Sequence, residues 1–450
     1  MNLLVILLFI SIFTMGYLVH QLQVLSGYWV LVPELLSGVA LLIVLARLVG
    51  GRKAMLDWRY GVFFAIFVFV LLFGFLAQST PAGVVVAGLR NYVKFIPFFL
   101  LPLVYPFTSR QLKMQMGVLL TLLFLQTPLA LYQRFVQFAD KMHTGDPVRG
   151  TATTSSALTL LMCCGIALIV TLYLRKRIKL PMLLVGIAFL GLPTMLNETK
   201  STLLMMPIAV LAPALFMPSG SRPLKKMIPL VAVGCAALLS YMAVYNTLIQ
   251  HRDDGKELGS FLTEGHIEDY LYTGFAEGDG TWIGRFDSIA LAMRGISGDP
   301  LRVAFGYGAG NVSESALPGF DGQYVAYVEL YGVDVTQISN FMWEIGIVGL
   351  AGYLLLYWFV FRDARRLSKR DDAAGMLGQA WAVVAVIMGM ALFYKSIFAM
   401  NEVAYLFWFF SGVVAREAYA LRQERRSPAA RPAPRREPEV VAPYGGRPAF

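Results

Sequence analysis

Residues 60–78 read YGVFFAIFVFVLLFGFLAQ, an apolar run that holds no Asp, Glu, Lys or Arg. A helix needs about 20 predominantly apolar residues to cross the hydrocarbon core of a bilayer, and this stretch meets that length. Comparable runs stand at roughly residues 3–20, 28–46, 92–108, 114–134, 152–174, 180–197, 202–218, 227–248, 337–361, 376–394 and 403–421. Of the 450 residues, 57% are hydrophobic and 15% charged, against about a quarter charged in an ordinary soluble domain. Mean hydropathy is +0.62. These values exclude a soluble enzyme and predict an all-α polytopic membrane protein with about twelve transmembrane helices. The first run, Leu3–Leu18, has no basic segment before it and no A-x-A site, so it reads as an uncleaved first helix.

The chain carries 38 basic and 28 acidic residues, a net +10. In a membrane protein that excess speaks first of orientation. With twelve spans both termini share a side, and the short loops on that side are all basic, from Arg47/Arg52/Lys53 to Arg365/Arg366/Lys369. That side holds 26 of the 38 basic residues. The positive-inside rule therefore predicts a multi-pass protein with both termini cytoplasmic. The basic pI needs no nucleic-acid partner.

Four segments are expected: residues 1–248 with the first nine spans, a large periplasmic loop over 249–336 containing short helices, residues 337–421 with three further spans, and a basic, Pro-rich tail over 422–450. The loop holds 14 acids and 5 bases. A connection of that size exceeds what joining two helices needs, and long loops are commonly functional. The tail has six prolines among arginines and glutamates and too little apolar surface to fold, so it reads as a disordered cytoplasmic segment near anionic lipid. Cys163, Cys164 and Cys235 lie inside apolar runs and imply neither disulfide nor zinc site. The four histidines show no ligand spacing, so no metal or other cofactor is expected.

Four features fall where membrane should meet water on the outer face. The first is Asp146-Pro147-Val148-Arg149-Gly150-Thr151. The second is Asn197-Glu198-Thr199-Lys200-Ser201-Thr202. The third runs from Gly284-Arg285-Phe286-Asp287 to Met293-Arg294, where Ile289, Ala292 and Met293 share one face of a short amphipathic helix. It continues through Asp299-Pro300-Leu301 to Phe305-Gly306-Tyr307-Gly308-Ala309-Gly310-Asn311. The fourth is Thr336-Gln337-Ile338-Ser339-Asn340-Phe341-Met342-Trp343-Glu344-Ile345-Gly346-Ile347-Val348-Gly349. There Gly346, Gly349 and Gly352 would admit a neighbouring helix closely. Each has a plainer reading as well. Arg149 and Lys200 can snorkel to head groups, and Arg285 can pair with Asp287 or Glu277. The Asn340/Glu344 pair serves equally as a buried structural bond or as a site. The glycine cluster is no dinucleotide fingerprint, since Asn311 stands at the third glycine position and no strand is expected before it. A tight turn whose amides reach a ligand, or one that merely folds the loop, fits better.

In this order the four features resemble the bacterial O-antigen ligase and polymerase family, integral membrane glycosyltransferases that use polyprenyl-pyrophosphate-linked glycans. The resemblance covers most of the chain and rests on Arg149-Gly150-Thr151, Lys200-Ser201-Thr202, Gly284-Arg285 with Pro300 and Gly306–Asn311, and Glu344-Ile345-Gly346-Ile347-Val348-Gly349. Two positions depart from it. The short-turn arginine is Lys200, which keeps charge but not bidentate geometry. Ligases of the family carry a histidine about eleven residues before the first glycine of the last motif, and Val335 stands there.

The resemblance implies transfer of a glycan from its lipid diphosphate onto a sugar hydroxyl of another lipid-linked repeat unit at the periplasmic face, without metal. The missing histidine favours polymerisation over ligation to a lipid core or a protein. Arg285, with Arg149 and Lys200 supporting, is expected to meet the charge on the departing diphosphate. A carboxylate is then the remaining kind of general base, with Asp287, Asp334 and Glu344 as candidates. Arg294, Tyr307, Gly308, Asn311, Gln337 and Asn340 are the candidate substrate-binding residues. Aromatic faces at Tyr270, Tyr272 and Trp282 can bind sugar, although loop solvation accounts for the same composition. The expected partners are the lipid-linked glycan, membrane lipid and other polysaccharide assembly proteins. A transporter or flippase of lipid-linked glycan and a non-enzymatic assembly scaffold are the competing classes. Transporters, however, place polar or broken helices at mid-membrane, whereas the cations here gather at the outer boundary.

Overall fold

The computed structural model describes residues 1–78, 80–139, 147–217, 224–249, 268, 271–272, 283–315, 319–326 and 332–426. Among them every regular element is helical: α1 Asn2–Gly16, α2 Val32–Val49, α3 Trp58–Gln78, α4 Ala82–Val93, α5 Ile96–Val104, α6 Ser109–Phe124, α7 Gln126–Tyr132, α8 Ser155–Leu174, α9 Leu180–Leu196, α10 Thr202–Leu215, α11 Leu224–Ile249, α12 Arg285–Ile296, α13 Pro300–Phe305, α14 Gln337–Leu367, α15 Ala373–Tyr394 and α16 Asn401–Arg426. Their starts follow local capping chemistry. The side chains of Thr108, Thr154, Thr336 and Asp372 each accept a hydrogen bond from a backbone N–H of the first turn.

By length and apolarity, eight of the described helical stretches are fit to cross a membrane, or nine if α4 and α5 make one bent span. The chain is thus a multi-pass membrane protein. Helices α9 and α10 are apolar but shorter, and α16 is interrupted by Glu402, Arg416 and Glu417. The predicted run at 92–108 is not one straight helix, because α4 begins ten residues earlier and meets α5 at a bend of 49° around Lys94. Helices α8 and α15 stand at the centre of the bundle, with 83% and 78% of their apolar windows buried, whereas α2 and α11 are peripheral.

One end of the bundle is basic. Arg59 and Arg422 each pair with both Asp57 and Asp363 at 2.7–3.2 Å, tying α3, α14 and α16 together. Arg175 donates to the carbonyls of Ser368, Arg370 and Gly375, which fastens α8 to the α14–α15 turn. Arg422, expected in the loose tail, is therefore part of the bundle, and residues 422–426 extend α16. Its ion pairs outweigh the polar composition that suggested otherwise. Residues 427–450 lie outside the described residues, as do Asp146, Tyr270, Glu277, Trp282 and most of 250–282.

The opposite end carries the described part of the long connection. The short helix expected after Gly284 is present as α12, but its buried stripe is Ser288, Ala292 and Ile296, with Ile289 packed beside it and Met293 exposed. Packing against α14 explains the rotation, because Ser339 Oγ donates to the Ser288 carbonyl and Trp343 fills the space beside Gly295. Helix α14 itself is broken at Gly346, which has φ 65°. A helix kink there releases the Trp343 carbonyl from its i+4 partner, and the Tyr307 N–H takes it at 2.7 Å. A Cβ on Gly346 would come to 2.5 Å of the Ala304 carbonyl carbon. Gly346 thus admits loop backbone, not a transmembrane neighbour. Gly352 faces Ile66 of α3 at ordinary contact distance.

Candidate functional site

Where α4, α14, α15 and the long connection meet, at the end away from the basic turns, the bundle opens into a cavity of about 550 Å³. That size lies within the roughly 300–1,000 Å³ typical of ligand sites. Charged groups stud its wall: Arg90, Lys94 and Lys395 supply cations, and Glu314, Asp334 and Glu344 supply carboxylates. Thr153, Thr154, Gln337 and Asn340 stand between them.

The ionised groups are not equivalent. Arg90 is held by Glu34 in a two-pronged pair, both contacts 2.6 Å. That geometry uses the guanidinium's charge locally. Lys94 sits at the α4–α5 bend with its Nζ 5.1 Å from the centroid of the Phe95 ring. Lys94 and Lys395 form no ion pair within 4 Å among the described residues. Glu34 and Glu402 act on Lys94 only from further away.

Glu344 is buried and accepts three hydrogen bonds: from Tyr92 Oη at 2.6 Å, from the Gly310 N–H at 3.2 Å, and from Ser313 Oγ. A carboxylate so engaged joins α4, α14 and the connection while presenting an edge to the cavity. Asp334 is exposed at the mouth, one residue before Val335. Gln337 spans the wall, accepting the Phe398 N–H at 2.8 Å and donating to Asn340 Oδ1 at 3.1 Å.

Of the residues expected from sequence, Asp334, Glu344, Gln337 and Asn340 line this cavity, and Arg149, Lys200, Arg285, Asp287 and Arg294 do not. The Arg149 turn touches its wall at Thr153, Arg285 touches Tyr394 beside Lys395, and the Lys200 turn touches Ser155 beside Thr154. Arg149 Nη1 donates to the carbonyl of Thr153 at 3.1 Å, and the Thr153 N–H and Oγ1 donate to buried Glu402 at 2.7 and 2.8 Å. The N–H groups of Arg149 and Gly150 meet Gln133 Oε1. The Lys200 turn is fastened to the Arg149 turn, because Asn197 Nδ2 donates to the Ser155 carbonyl at 2.9 Å, and Arg134 pairs with Glu198 at 2.9 Å. Tyr241 Oη donates to the Thr199 carbonyl. Arg285 opens α12 with its guanidinium 4.8 Å from the centroid of Tyr394, the residue before Lys395.

Three expected substrate contacts have other uses. Tyr307 is buried, donates from Oη to the Gly295 carbonyl at 3.0 Å, and packs on Trp343 and Tyr324. Asn311 Nδ2 donates to the Tyr307 carbonyl, and its Oδ1 accepts the Gln323 N–H. Gly308 lies against the backbone of Gly74. Their common reason is dense packing: alternate glycines at 306, 308 and 310 have φ of 68°, 90° and 83° and thread the chain between α3, α4 and α14. Within the glycine turn the Gly310 amide points at Glu344, a contact that folds the loop.

Arg90, Lys94, Lys395, Glu34 and Glu402 are absent from the sequence-derived set. Lys94 had a signal, as a lone charge within an expected apolar span, the kind that marks function in membranes. Lys395 and Glu402 stand at the two ends of the short turn between the last two spans. A scan against family models finds no match, and no curated protein matches the sequence.

Proposed function

We propose that the chain is an integral membrane glycosyltransferase that elongates a polysaccharide, moving a polyprenyl-diphosphate-linked glycan onto a sugar hydroxyl of a second lipid-linked repeat unit. In this reading all twelve apolar stretches cross the bacterial inner membrane, both termini are cytoplasmic, and the cavity opens on the periplasmic side. The observation that carries it is the cavity at the end opposite the basic turns, where carboxylates and two ammonium groups with no ion pair among the described residues face one space. Such a site fits a ligand that is anionic at one end and hydroxylated at the other.

The acceptor oxygen attacks the anomeric carbon of the donor, the bond from that carbon to the diphosphate oxygen breaks, and the electron pair leaves on the diphosphate. Lys94 and Lys395 meet that growing charge. Arg90, already neutralised by Glu34, shapes the wall. The hydroxyl proton passes to Asp334, whose carboxylate is accessible, whereas Glu344 is occupied by three donors. Arg149 and Arg285 act from neighbouring turns on Thr153 and the Tyr394–Lys395 corner, and Lys200 stands in the turn that Asn197 ties to Ser155. Because fixed cations supply the positive charge, activity should persist in EDTA.

The test is chain elongation by the purified full-length protein in nanodiscs supplied with a defined lipid-linked repeat unit. Wild type should give a ladder of products, and Lys94→Gln or Lys395→Gln should lower its rate by about 10²–10³. In cells, loss of the protein should leave single repeat units on the carrier. Accumulation of long polymer on the carrier lipid would instead identify ligation, and absence of any elongation in vitro refutes the polymerase reading.

A further inference from the structure

We propose that the cavity mouth selects the sugar it accepts by charge, favouring neutral or amino sugars and rejecting those that carry a carboxylate. The inference rests on the reading of this cavity as the site of a lipid-diphosphate-linked glycan. It concerns what that glycan is, which neither the fold nor the resemblance states.

The argument is one of leftover charge. Once Lys94 and Lys395 are engaged by a diphosphate, and Arg90 by Glu34 at 2.6 Å, the cavity's three cations are spoken for. What still faces the remaining space is acidic. Glu314 and Asp334 are exposed at the mouth and form no ion pair within 4 Å among the described residues. Glu344, an acceptor from three donors, lies behind them. The neutral groups beside them, such as Asn340 and Thr154, suit sugar hydroxyls.

A unit charge a few ångströms from another in a watery mouth changes affinity by roughly fivefold, and like charges placed together serve mainly to exclude wrong partners. An amine at the same place gains by the same factor.

The test measures binding to full-length protein in nanodiscs at low salt, by native mass spectrometry. The probes are undecaprenyl diphosphate bearing glucosamine, N-acetylglucosamine or glucuronic acid, with unglycosylated undecaprenyl diphosphate alongside. The glucuronate is expected to bind at least about fivefold more weakly than the neutral sugar, and the amine as well or better. Glu314→Gln should narrow that gap and Glu314→Lys should reverse it. Glu314 is exposed and outside the hydrogen-bonded core, so both variants should fold. Equal or tighter binding of the glucuronate, or a ratio unmoved by both substitutions, overturns the selectivity and leaves the enzyme reading standing. Failure of all four probes to bind overturns the reading of the cavity and the selectivity with it.

Discussion

Replacing Glu344 separates two roles that a buried carboxylate in such a cavity can have. In the structure it is an anchor: Tyr92 Oη, the Gly310 N–H and Ser313 Oγ all donate to it, from a helix and a loop that are far apart in sequence. Glu344→Ala strands those donors. A buried donor without a partner costs about 1–3 kcal/mol, and with cavity water reaching some of them the total is roughly 3–6 kcal/mol. Glu344→Gln keeps an oxygen for the Gly310 N–H and Ser313 Oγ, which share Oε1, and the Tyr92 hydroxyl can turn to accept from its NH₂. Its cost should be roughly 1 kcal/mol. The assay pairs the apparent melting temperature in detergent with hydrogen exchange of residues 306–313. Alanine should lower the first by several degrees and speed exchange across the glycine segment, while glutamine should do little of either. If alanine leaves melting and exchange at wild-type values and abolishes glycan transfer alone, the carboxylate works on substrate and the anchoring argument fails.

Gly310→Ala should be nearly as damaging as Glu344→Ala, since its Cβ would come to 2.5 Å of the Gly88 Cα and its φ is 83°. Overpacking of this kind costs about 1–3 kcal/mol, and limited proteolysis of the 283–326 segment would report it. At the basic end, burial alone would raise the Asp57 pKa, but hydrogen bonds from the Arg59 side chain and backbone, with the charges of Arg422 and Arg59, outweigh it and hold the carboxyl below its usual value. A folded-state value below the unfolded one adds stability that is present above about pH 4 and lost as pH falls further. Acid titration of the melting temperature should therefore drop more steeply for wild type than for Asp57→Asn, and identical profiles would count against that network.

Much of this protein is written in its sequence because membrane-spanning helices are local objects. An apolar run of span length must satisfy its own backbone hydrogen bonds, so helices stand over the stretches at 60–78, 152–174 and 376–394 whatever surrounds them. Gln337, Asn340 and Glu344 stand in the polar segment that opens α14, with Asp334 just before it, and all four line the cavity. The break at Gly346 was less legible, since a glycine in an apolar run reads as close helix packing until a loop is seen to occupy it.

Which cations face the cavity was decided only by the tertiary structure. Arg149, Lys200 and Arg285 are the cations that stand out along the chain, but Lys94 and Lys395 line the cavity, because a 49° bend brings Lys94 to the wall and the end of α15 brings Lys395. The contacts that build the wall span 252 residues for Tyr92 to Glu344 and 249 for Thr153 to Glu402. Pairing across such distances depends on how whole helices pack, and no window along the chain contains both partners. Hydropathy and charge placed the helices and their polar ends, while the packing of α4, α14 and α15 determined which of those polar groups share one pocket.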